Sequence, residues 1–390
     1  MRNQKIIFNL IKSALFGFDG IDERVITEEE LCELEEQAVE AIPRELIKMA
    51  AASAAIEARW ESRIFQVVSK YVKIMRAQQE LTKLLMEHGI KPVILKGISA
   101  GMYYPNPELR NMGDVDFIVH RELFEKAGKI LNKNGYLDGG GYNQRHLCFE
   151  KDDVHFEMHH HFSNGMSDEC AEFLDDHIEN SIDSAVLCSA GNYSWYSFDT
   201  CTNGLILLQH ISQHLSSGLG LRQVIDWMMY VKCCVNDEIW TELGPMIKSC
   251  GNMELARIIT KMCELYLGLP GEYPWCEDAS EEKCEVLMNF VMMKGNMGKK
   301  KSRSSNRTIS ALNAVNNGII GRLKYEQVTG MVHWKSTRYH KVLRPFAWIY
   351  GIFHHISMLR QDGETVSSIL NGIKESKKQR KLIAQLLSNE

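Results

Sequence analysis

Two aspartates spaced two residues apart, Asp114 and Asp116, are the residues of this chain best suited to chemistry. Apolar residues lie between and after them in the segment Gly113-Asp114-Val115-Asp116-Phe117-Ile118-Val119, and Val, Phe and Ile favour a strand. Positions i and i+2 of a strand point to the same face, so the two carboxylates would lie side by side. Like charges that close are costly unless a cation lies between them. The spacing therefore indicates a divalent-metal site with oxygen ligands, although a solvated strand edge with two acids has the same pattern.

A short apolar strand that ends in Lys96-Gly97 precedes the aspartate pair. Residues 92–95 predict the strand, and residues 98–104 predict a helix with Ser99 in its first turn. Backbone N–H groups at a glycine turn and a helix N-terminus point outward and attract anions. The chain then returns through Arg110 to the aspartates. A phosphate-accepting turn followed by a strand with two carboxylates is the arrangement that metal-nucleotide chemistry needs.

A third carboxylate, Glu157, lies in a segment with the periodicity of a strand. Residues 154–159 alternate apolar and polar side chains, so His155, Glu157 and His159 would share one face. That face would either be exposed or complete a metal-binding acid triad beside the aspartates. Of the histidines that follow, only His159 and His161 share the face of Glu157. His159 is the nearer, and we expect it to orient that acid, contact substrate or bind a phosphate.

In this order, the motifs resemble the uncharacterised bacterial nucleotidyltransferases of the DNA polymerase β-like superfamily. Those proteins carry an L-K-G turn, an R-x-x-x-D-h-D strand, in which h is hydrophobic, and a later h-[DE]-h-H strand. The matching segments here are Leu95-Lys96-Gly97, Arg110 to Asp116, Phe156 to His159 and the helical signatures Leu207 to His210, Gly220 to Trp227 and Gly295 to Gly298. The superfamily's turn is usually Gly-Ser or Gly-Gly, whereas here Ile98 follows the glycine and the hydroxyl comes at Ser99.

The resemblance implies a metal-dependent enzyme that moves a nucleoside monophosphate from an NTP to an acceptor hydroxyl and releases pyrophosphate. Its cofactor would be Mg²⁺, as two ions, with Mn²⁺ as the alternative. The residues expected to bind metal and carry catalysis are Asp114, Asp116 and Glu157. The residues expected to bind the nucleotide are Lys96, Gly97, Ser99, Arg110, Gly113, His159 and Arg222.

Two other functions remain open from the sequence. The altered turn after Gly97 would suit an inactive nucleotide-binding or regulatory module on the same fold. A tRNA-modifying, toxin-like enzyme would use the basic segment 299–307, which otherwise reads as a solvated loop. A small-molecule acceptor would instead use a pocket between the sheet and the helices, and the acceptor is not identified by any motif. The net charge of −5 disfavours a large RNA.

The pattern along the chain predicts an α+β protein, with a small mixed-sheet nucleotidyltransferase core between N-terminal and C-terminal helical regions. The expected divisions are a helical region over 1–88, the α/β core over 89–200, a helical domain over 201–295, a basic linker over 296–307 and further helices over 308–390. Strands are predicted at 92–96, 114–119, 146–150, 153–159 and 193–198. Long helices are predicted at 57–88 and 121–134, and Thr27 begins a capping box.

Two pairs of polar residues spaced four apart share helix faces in the helical domain. His210 and His214 would be metal ligands, substrate contacts, or ordinary core or surface histidines. Arg222 and Asp226 would form an ion pair within their helix, or Arg222 would reach a phosphate.

Composition points to a reduced, cytoplasmic protein. The 390 residues include 11 scattered cysteines with no C-x-x-C motif, which argues against a disulfide framework and against a zinc site built from cysteines. No apolar run reaches the length of a membrane-spanning helix, and the N-terminus has no signal-peptide pattern. We therefore expect no membrane partner.

Overall fold

The structure is a computed structural model of the chain. It describes residues 2–21, 25–139, 146–163, 166–296, 323, 326–327, 330–331, 334, 336–339, 341–361 and 366–387. The basic segment 299–307 and the end of the signature Gly295 to Gly298 lie outside the described residues.

The N-terminal region is helical, as predicted. Its helices are α1 (Arg2–Phe16), α2 (Glu28–Glu36), α3 (Arg44–Ala50) and α4 (Ala54–Glu87). The predicted capping box begins α2, because Thr27 accepts from the backbone of the first turn while Glu30 accepts from the Thr27 N–H. Ser53 caps α4 by accepting from the N–H of Ile56. Gly89, with φ +72°, follows the end of this helix.

A seven-stranded mixed sheet forms the centre of the chain. Its strands are β1 (Val93–Leu95), β2 (Val115–Ile118), β3 (Leu137–Asp138), β4 (His146–Lys151), β5 (Val154–His159), β6 (Val186–Ala190) and β7 (Tyr193–Ser197). The order across the sheet is β3-β4-β5-β2-β1-β7-β6. Strands β2 and β5 are parallel, as are β1 and β7, and the other neighbours are antiparallel. The predicted α+β architecture is thereby confirmed.

All five predicted strands are present, and each boundary lies within one residue of its prediction. The sequence analysis missed the two strands at the sheet edges. Strand β3 has only two residues, and β6 is mostly exposed, so neither has the alternating burial that identifies a strand in a sequence.

Three helices accompany the sheet: α5 (Gly97–Gly101), α6 (Phe124–Lys133) and α7 (Asp168–Ser181). The predicted helix over 121–134 appears as a 3₁₀ turn, Arg121–Leu123, followed by α6. Phe124, Ala127 and Leu131 are buried on one side of α6, at the spacing of a single helix face. This amphipathic face closes the hydrophobic layer beneath one side of the sheet.

The described part of the C-terminal half is helical. Its helices are α8 (Thr200–Ser217), α9 (Leu221–Cys234), α10 (Asp237–Ser249), α11 (Met253–Met262), α12 (Glu281–Lys294), α13 (Ser336–Tyr339), α14 (Ala347–Gln361) and α15 (Val366–Leu387). Shorter turns are the 3₁₀ helices Pro107–Leu109, Pro274–Cys276 and Lys341–Phe346 and the π-helix Cys263–Leu267. Among the described helices, none combines the length and apolar character that crossing a bilayer requires.

Two hydrophobic clusters hold these elements together, and α4 takes part in both. One cluster joins α1–α3 to the helices after the sheet, and it includes Ile56 and Trp60 from the start of α4. The other fills the space around the sheet and α6, and it includes Ile74 and Leu81 from the later part of α4. The middle of α4 therefore lies where the sheet meets the helical domain.

Candidate active site

The register of the sheet brings the predicted carboxylates together. Asp116 on β2 lies opposite Glu157 on the parallel strand β5, so both side chains project from the same face. Asp114 immediately precedes β2, and all three residues line one cavity. The i, i+2 spacing of the aspartates and the alternation around Glu157 thus produce the cluster of acids that the sequence suggested.

Asp116 is the central residue of this cluster. Only 5% of its surface is exposed, and its Oδ1 lies 3.0 Å from Nζ of Lys96 and 2.9 Å from Nε2 of His159. Burial opposes ionisation of Asp116, but the Lys96 charge and the His159 hydrogen bond outweigh it and hold the pKa of this carboxyl well below its usual range. Lys96 is half-buried, and the neighbouring carboxylates raise its pKa although desolvation opposes its charge. Asp116 is therefore ionised and fixed in orientation.

The pKa values of the other two acids, Asp114 and Glu157, are shifted in the opposite direction to that of Asp116. The charge of Asp116, followed by burial, raises the pKa of Asp114. Burial, followed by the charge of Asp116, raises the pKa of Glu157. Three carboxylates therefore lie together, with Lys96 and Arg222 as the nearby positive charges, and a divalent cation would relieve the repulsion between them.

The Lys96–Gly97 turn between β1 and α5 has an unusual backbone. Lys96 has φ +50° and Gly97 has φ +46°, and the left-handed region disfavours residues with a Cβ. A Cβ at Gly97 would meet nothing closer than Met112 Sδ at 4.0 Å, so glycine serves the backbone conformation rather than space. The turn directs Lys96 Nζ toward the carboxylate of Asp116, and Gly97 lies at the cavity wall.

Ser99, which was expected to bind the nucleotide, does not line this cavity. Its side chain is buried, its hydroxyl donates to the carbonyl of Ile94 and accepts from Ser197, and it is not among the residues that line the cavity. The other predicted site residues do line it: Lys96, Gly97, Arg110, Gly113, Asp114, Asp116, Glu157, His159 and Arg222. Ser99 thus ties α5 to the sheet by hydrogen bonds.

A buried ion pair joins the approach to β2 with helix α9. Nε and Nη2 of Arg110 donate to the two carboxylate oxygens of Asp226 at 2.8 and 2.7 Å, and the Tyr104 hydroxyl donates to the same carboxylate at 2.7 Å. The expected ion pair between Arg222 and Asp226 was wrong. Asp226 is held by Arg110 and Tyr104, because a planar guanidinium can engage both carboxylate oxygens at once.

Arg222 is thereby left with its side chain turned to the cavity. Its Nη1 donates to the backbone carbonyl of Asn111 at 3.1 Å, while its Nε is buried without a hydrogen-bond partner among the described residues. Burial, with the nearby charge of Arg110, lowers the pKa of Arg222. Because Arg222 lines the cavity, its guanidinium is well placed to meet an anion there.

The cavity itself is open and has a volume of about 640 Å³, and the sheet, α4, α8 and α9 form its walls. His210 and His214 lie on it with their Nε2 atoms 2.9 Å apart. Burial, followed by the charge of Lys96, lowers the pKa of both, to about 3 for His214, so the pair is neutral at pH 7. Both histidines therefore lie at the cavity wall.

The sequence analysis missed the contribution of α4. Arg63, Gln66, Val67 and Lys70 line the cavity across from the sheet. Arg63 is held by Glu40, whose Oε1 also accepts from the side-chain amide of Asn111. The i, i+3, i+4 and i+7 spacing of these residues was a visible signal that they share a helix face. A charged face on a long helix is more often a solvated surface, so the spacing alone did not point to a site.

Donor atoms suitable for a metal converge at the acids. Oxygens of Asp116 and Glu157 and a ring nitrogen of His159 lie within 4.8 Å of one another, with Asp114 on the same cavity wall. Carboxylate oxygens are the ligands that Mg²⁺ and Mn²⁺ prefer. The donor set and its uncompensated negative charge fit a divalent cation.

Replacing Asp114 by asparagine should stabilise the metal-free protein. Because the pKa of Asp114 is raised in the folded chain, the folded state binds more protons than the unfolded state, and the wild type loses stability as pH rises through the raised pKa. The neutral variant escapes that loss. We expect its melting temperature at pH 7, measured in EDTA, to be higher by roughly 2 °C.

The matched control is Asp116→Asn, whose effect should have the opposite sign. The pKa of Asp116 is lowered, so its charge stabilises the fold, and that contribution is present at neutral pH and lost as pH falls through the lowered pKa. Its variant should melt below the wild type. The electrostatic description of the cluster would be contradicted by a lower melting temperature for Asp114→Asn, or by equal shifts for both variants.

The chain is similar to a solved structure and to a protein family. The crystal structure of an antigenic nucleotidyltransferase-like protein from Paracoccidioides brasiliensis is similar at 12% identity, with a TM-score of 0.31, over 47% of this chain and 91% of that chain. A likeness so distant carries no argument about the site. No curated protein matches the chain. Residues 34–268, more than half of the chain, match the model of a family described as uncharacterised nucleotidyltransferase. The chain belongs to this family of uncharacterised nucleotidyltransferases.

Proposed function

We propose that the chain transfers a nucleoside monophosphate from an NTP to the hydroxyl of an acceptor and releases pyrophosphate, on a DNA polymerase β-like core. The observation that carries the proposal is the meeting of Asp114, Asp116 and Glu157 with the Lys96–Gly97 turn on one cavity. Metal-bridged phosphates need carboxylates on one side and a phosphate-accepting turn on the other.

Asp114, Asp116 and Glu157 would hold the metal, which we propose to be two Mg²⁺ ions, with Mn²⁺ as a substitute. When bound, the metal would offset the charge of the phosphates and of the leaving pyrophosphate and would lower the pKa of the acceptor hydroxyl. His159 serves this arrangement by holding Asp116 in one orientation through the 2.9 Å hydrogen bond.

The protein side chains supply the remaining steps. The acceptor oxygen attacks the α-phosphorus, the bond from that phosphorus to the β-phosphate oxygen breaks, and the hydroxyl proton passes to Glu157. Glu157 lines the cavity opposite Asp116, where its carboxylate is in position to accept this proton. Arg222 and Lys96, which both line the cavity, offset charge on the phosphates.

We further propose that the acceptor is a small molecule. The cavity lies between the sheet, α4 and the helical domain, and its volume of about 640 Å³ falls within the range of roughly 300–1,000 Å³ that small-molecule sites occupy. The net charge of −5 provides no general attraction for RNA. All eleven cysteines are free, which suits a reducing compartment such as the cytoplasm.

The experiment that tests this function combines labelled nucleotides with a cell lysate. The purified chain is incubated with Mg²⁺ and each of the four NTPs, labelled at the α-phosphorus, and the label is traced into small molecules, protein or RNA while pyrophosphate release is measured. We expect label in the small-molecule fraction and stoichiometric pyrophosphate.

Label in RNA would instead support the tRNA-modifying alternative and overturn the small-molecule acceptor. Calorimetry with the same Mg-nucleotides separates the remaining alternative. Nucleotide binding without label transfer and without pyrophosphate release, across acceptors from several lysates, would show that the chain is a binding module, and the proposed catalysis would be rejected.

A further inference from the structure

A second group of metal-binding side chains lies next to the acids, on strand β4. The antiparallel register of β4 and β5 places Cys148 opposite Glu157 and His146 opposite His159. Side chains directly opposite in neighbouring strands project from the same face, so Cys148 and His146 extend the row that starts at Asp116. A ring nitrogen of His146, Sγ of Cys148 and a carboxylate oxygen of Glu157 lie within 4.8 Å of one another.

The chemistry of this group differs from that of the three acids. Mg²⁺ takes oxygen ligands and does not bind thiolate or imidazole preferentially, whereas Zn²⁺ and its neighbours in the transition series bind sulfur, nitrogen and carboxylate together. Cys148 is 7% exposed and lies opposite Glu157 in the strand pair, so its sulfur is next to a carboxylate. Sulfur, nitrogen and carboxylate ligands together are typical of a zinc site.

The placement of the three ligands resembles that of an open metal site. His146 and Glu157 line the cavity, while Cys148 is buried behind them in the sheet. A cation held by all three would have protein on one side and the cavity on the other. Three protein ligands with one open position is the pattern of catalytic zinc sites, whereas structural zinc sites have four protein ligands.

Glu157 belongs to both groups of ligands. Its Oε2 lies 3.8 Å from Nε2 of His159, on the side of Asp116, and its Oε1 lies 3.4 Å from Nε2 of His155. Because a carboxylate oxygen of Glu157 also lies within 4.8 Å of donor atoms of His146 and Cys148, this residue is shared between the acids and the ligands on β4. The site on β4 would therefore lie beside the aspartate pair without replacing it.

We propose that His146, Cys148 and Glu157 form a binding site for a Zn²⁺-class cation whose open position faces the nucleotide cavity. Binding exchanges the thiol proton of Cys148 for the metal, so one S–H bond breaks, one metal–sulfur bond forms and one proton is released to solvent. The proposal goes beyond nucleotidyl transfer, since that chemistry requires only the oxygen ligands.

The test uses Co²⁺ as a spectroscopic substitute for zinc in the full chain, after dialysis against a chelator. We expect a thiolate-to-cobalt charge-transfer band in the near ultraviolet that saturates at one cobalt per chain. Cys148→Ser should abolish the band. Cys188→Ser is the matched control, because Cys188 is a half-buried cysteine on β6 at the far edge of the same sheet, and it should keep the band.

Two further variants keep the test decisive if Cys148→Ser does not fold. His146→Gln and Glu157→Gln should each weaken cobalt binding at least about tenfold while the charge-transfer band remains at high cobalt. The proposal is overturned by absence of the band in the wild type, by its persistence in a folded Cys148→Ser variant, or by unchanged cobalt affinity in His146→Gln.

The readout also separates this inference from the proposed function. Cobalt absorption needs no turnover, so absence of the band leaves Mg²⁺-dependent transfer untouched. Likewise, absence of pyrophosphate release would reject the transfer reaction without bearing on the band. The pair His210 and His214 also faces the cavity but has no thiol, so cobalt bound there would give no charge-transfer band.

Discussion

Asp116→Asn should abolish nucleotidyl transfer while leaving a folded chain. Asp116 contacts Lys96 and His159, lies opposite Glu157 across the strand pair and shares the cavity with Asp114, so its charge organises the whole cluster. Losing a metal-coordinating carboxylate removes several kcal/mol of transition-state stabilisation. At about 1.4 kcal/mol per tenfold, we expect pyrophosphate release at saturating Mg-nucleotide to fall at least about 10³-fold.

The matched control for this variant is Asp153→Asn. Asp153 is also an aspartate of the sheet region, but it lies in the turn between β4 and β5 with its side chain 98% exposed and paired with Lys73. An exposed ion pair contributes about 1 kcal/mol at most, so transfer should be unchanged. Cooperative melting and native helicity establish that both variants are folded. Activity of Asp116→Asn within tenfold of the wild type would exclude the proposed role of the cluster.

The largest loss of stability should follow Asp226→Ala. The side chains of Arg110 and Asp226 are 6% and 4% exposed, and removing the carboxylate leaves a buried guanidinium without its bidentate partner. Breaking such a pair typically costs roughly 3–5 kcal/mol. The Tyr104 hydroxyl loses its acceptor as well. We expect a marked fall in the denaturation midpoint, followed in urea by far-ultraviolet circular dichroism.

A double variant distinguishes a lost charge pair from a damaged core. Arg110→Met with Asp226→Leu replaces both charges by apolar groups of similar volume and should recover most of the lost stability. Arg121→Met is the control for an exposed pair, since Arg121 and Asp176 have 31% and 55% of their side chains exposed, and it should cost about 1 kcal/mol or less. A midpoint for Asp226→Ala close to that of Arg121→Met would refute the importance of the buried pair.

The local parts of the fold and site could be predicted because their signals are local. Asp114 and Asp116 lie two residues apart in one segment, Glu157 lies at the polar phase of an alternating strand, and the capping box at Thr27 needs only four residues. Strand periodicity then fixes the face on which each carboxylate projects. Predicting that the strands pair and bring the acids together needed the order of the motifs as well.

The contacts that the sequence did not predict are separated by long stretches of chain. Arg110 and Asp226 are 116 residues apart, whereas Arg222 and Asp226 are separated by one helical turn. Local spacing therefore favoured the wrong partner, and only the packing of α9 against the approach to β2 identifies the correct one. Cys148 and Glu157 are close in the chain, but their proximity depends on the register of the β4–β5 pair, which was not predicted.

Helix α4 also has a consequence for how quickly the site can capture a ligand. Its 34 residues form a continuous helix about 51 Å long, with one end packed in each hydrophobic cluster and Arg63 to Lys70 on the cavity wall between them. An unbroken helix that bridges both cores resists rotation of one core against the other. Ligand capture at this wall therefore depends on side-chain rotamer changes, which take picoseconds to nanoseconds, rather than on domain closure, which takes microseconds to milliseconds.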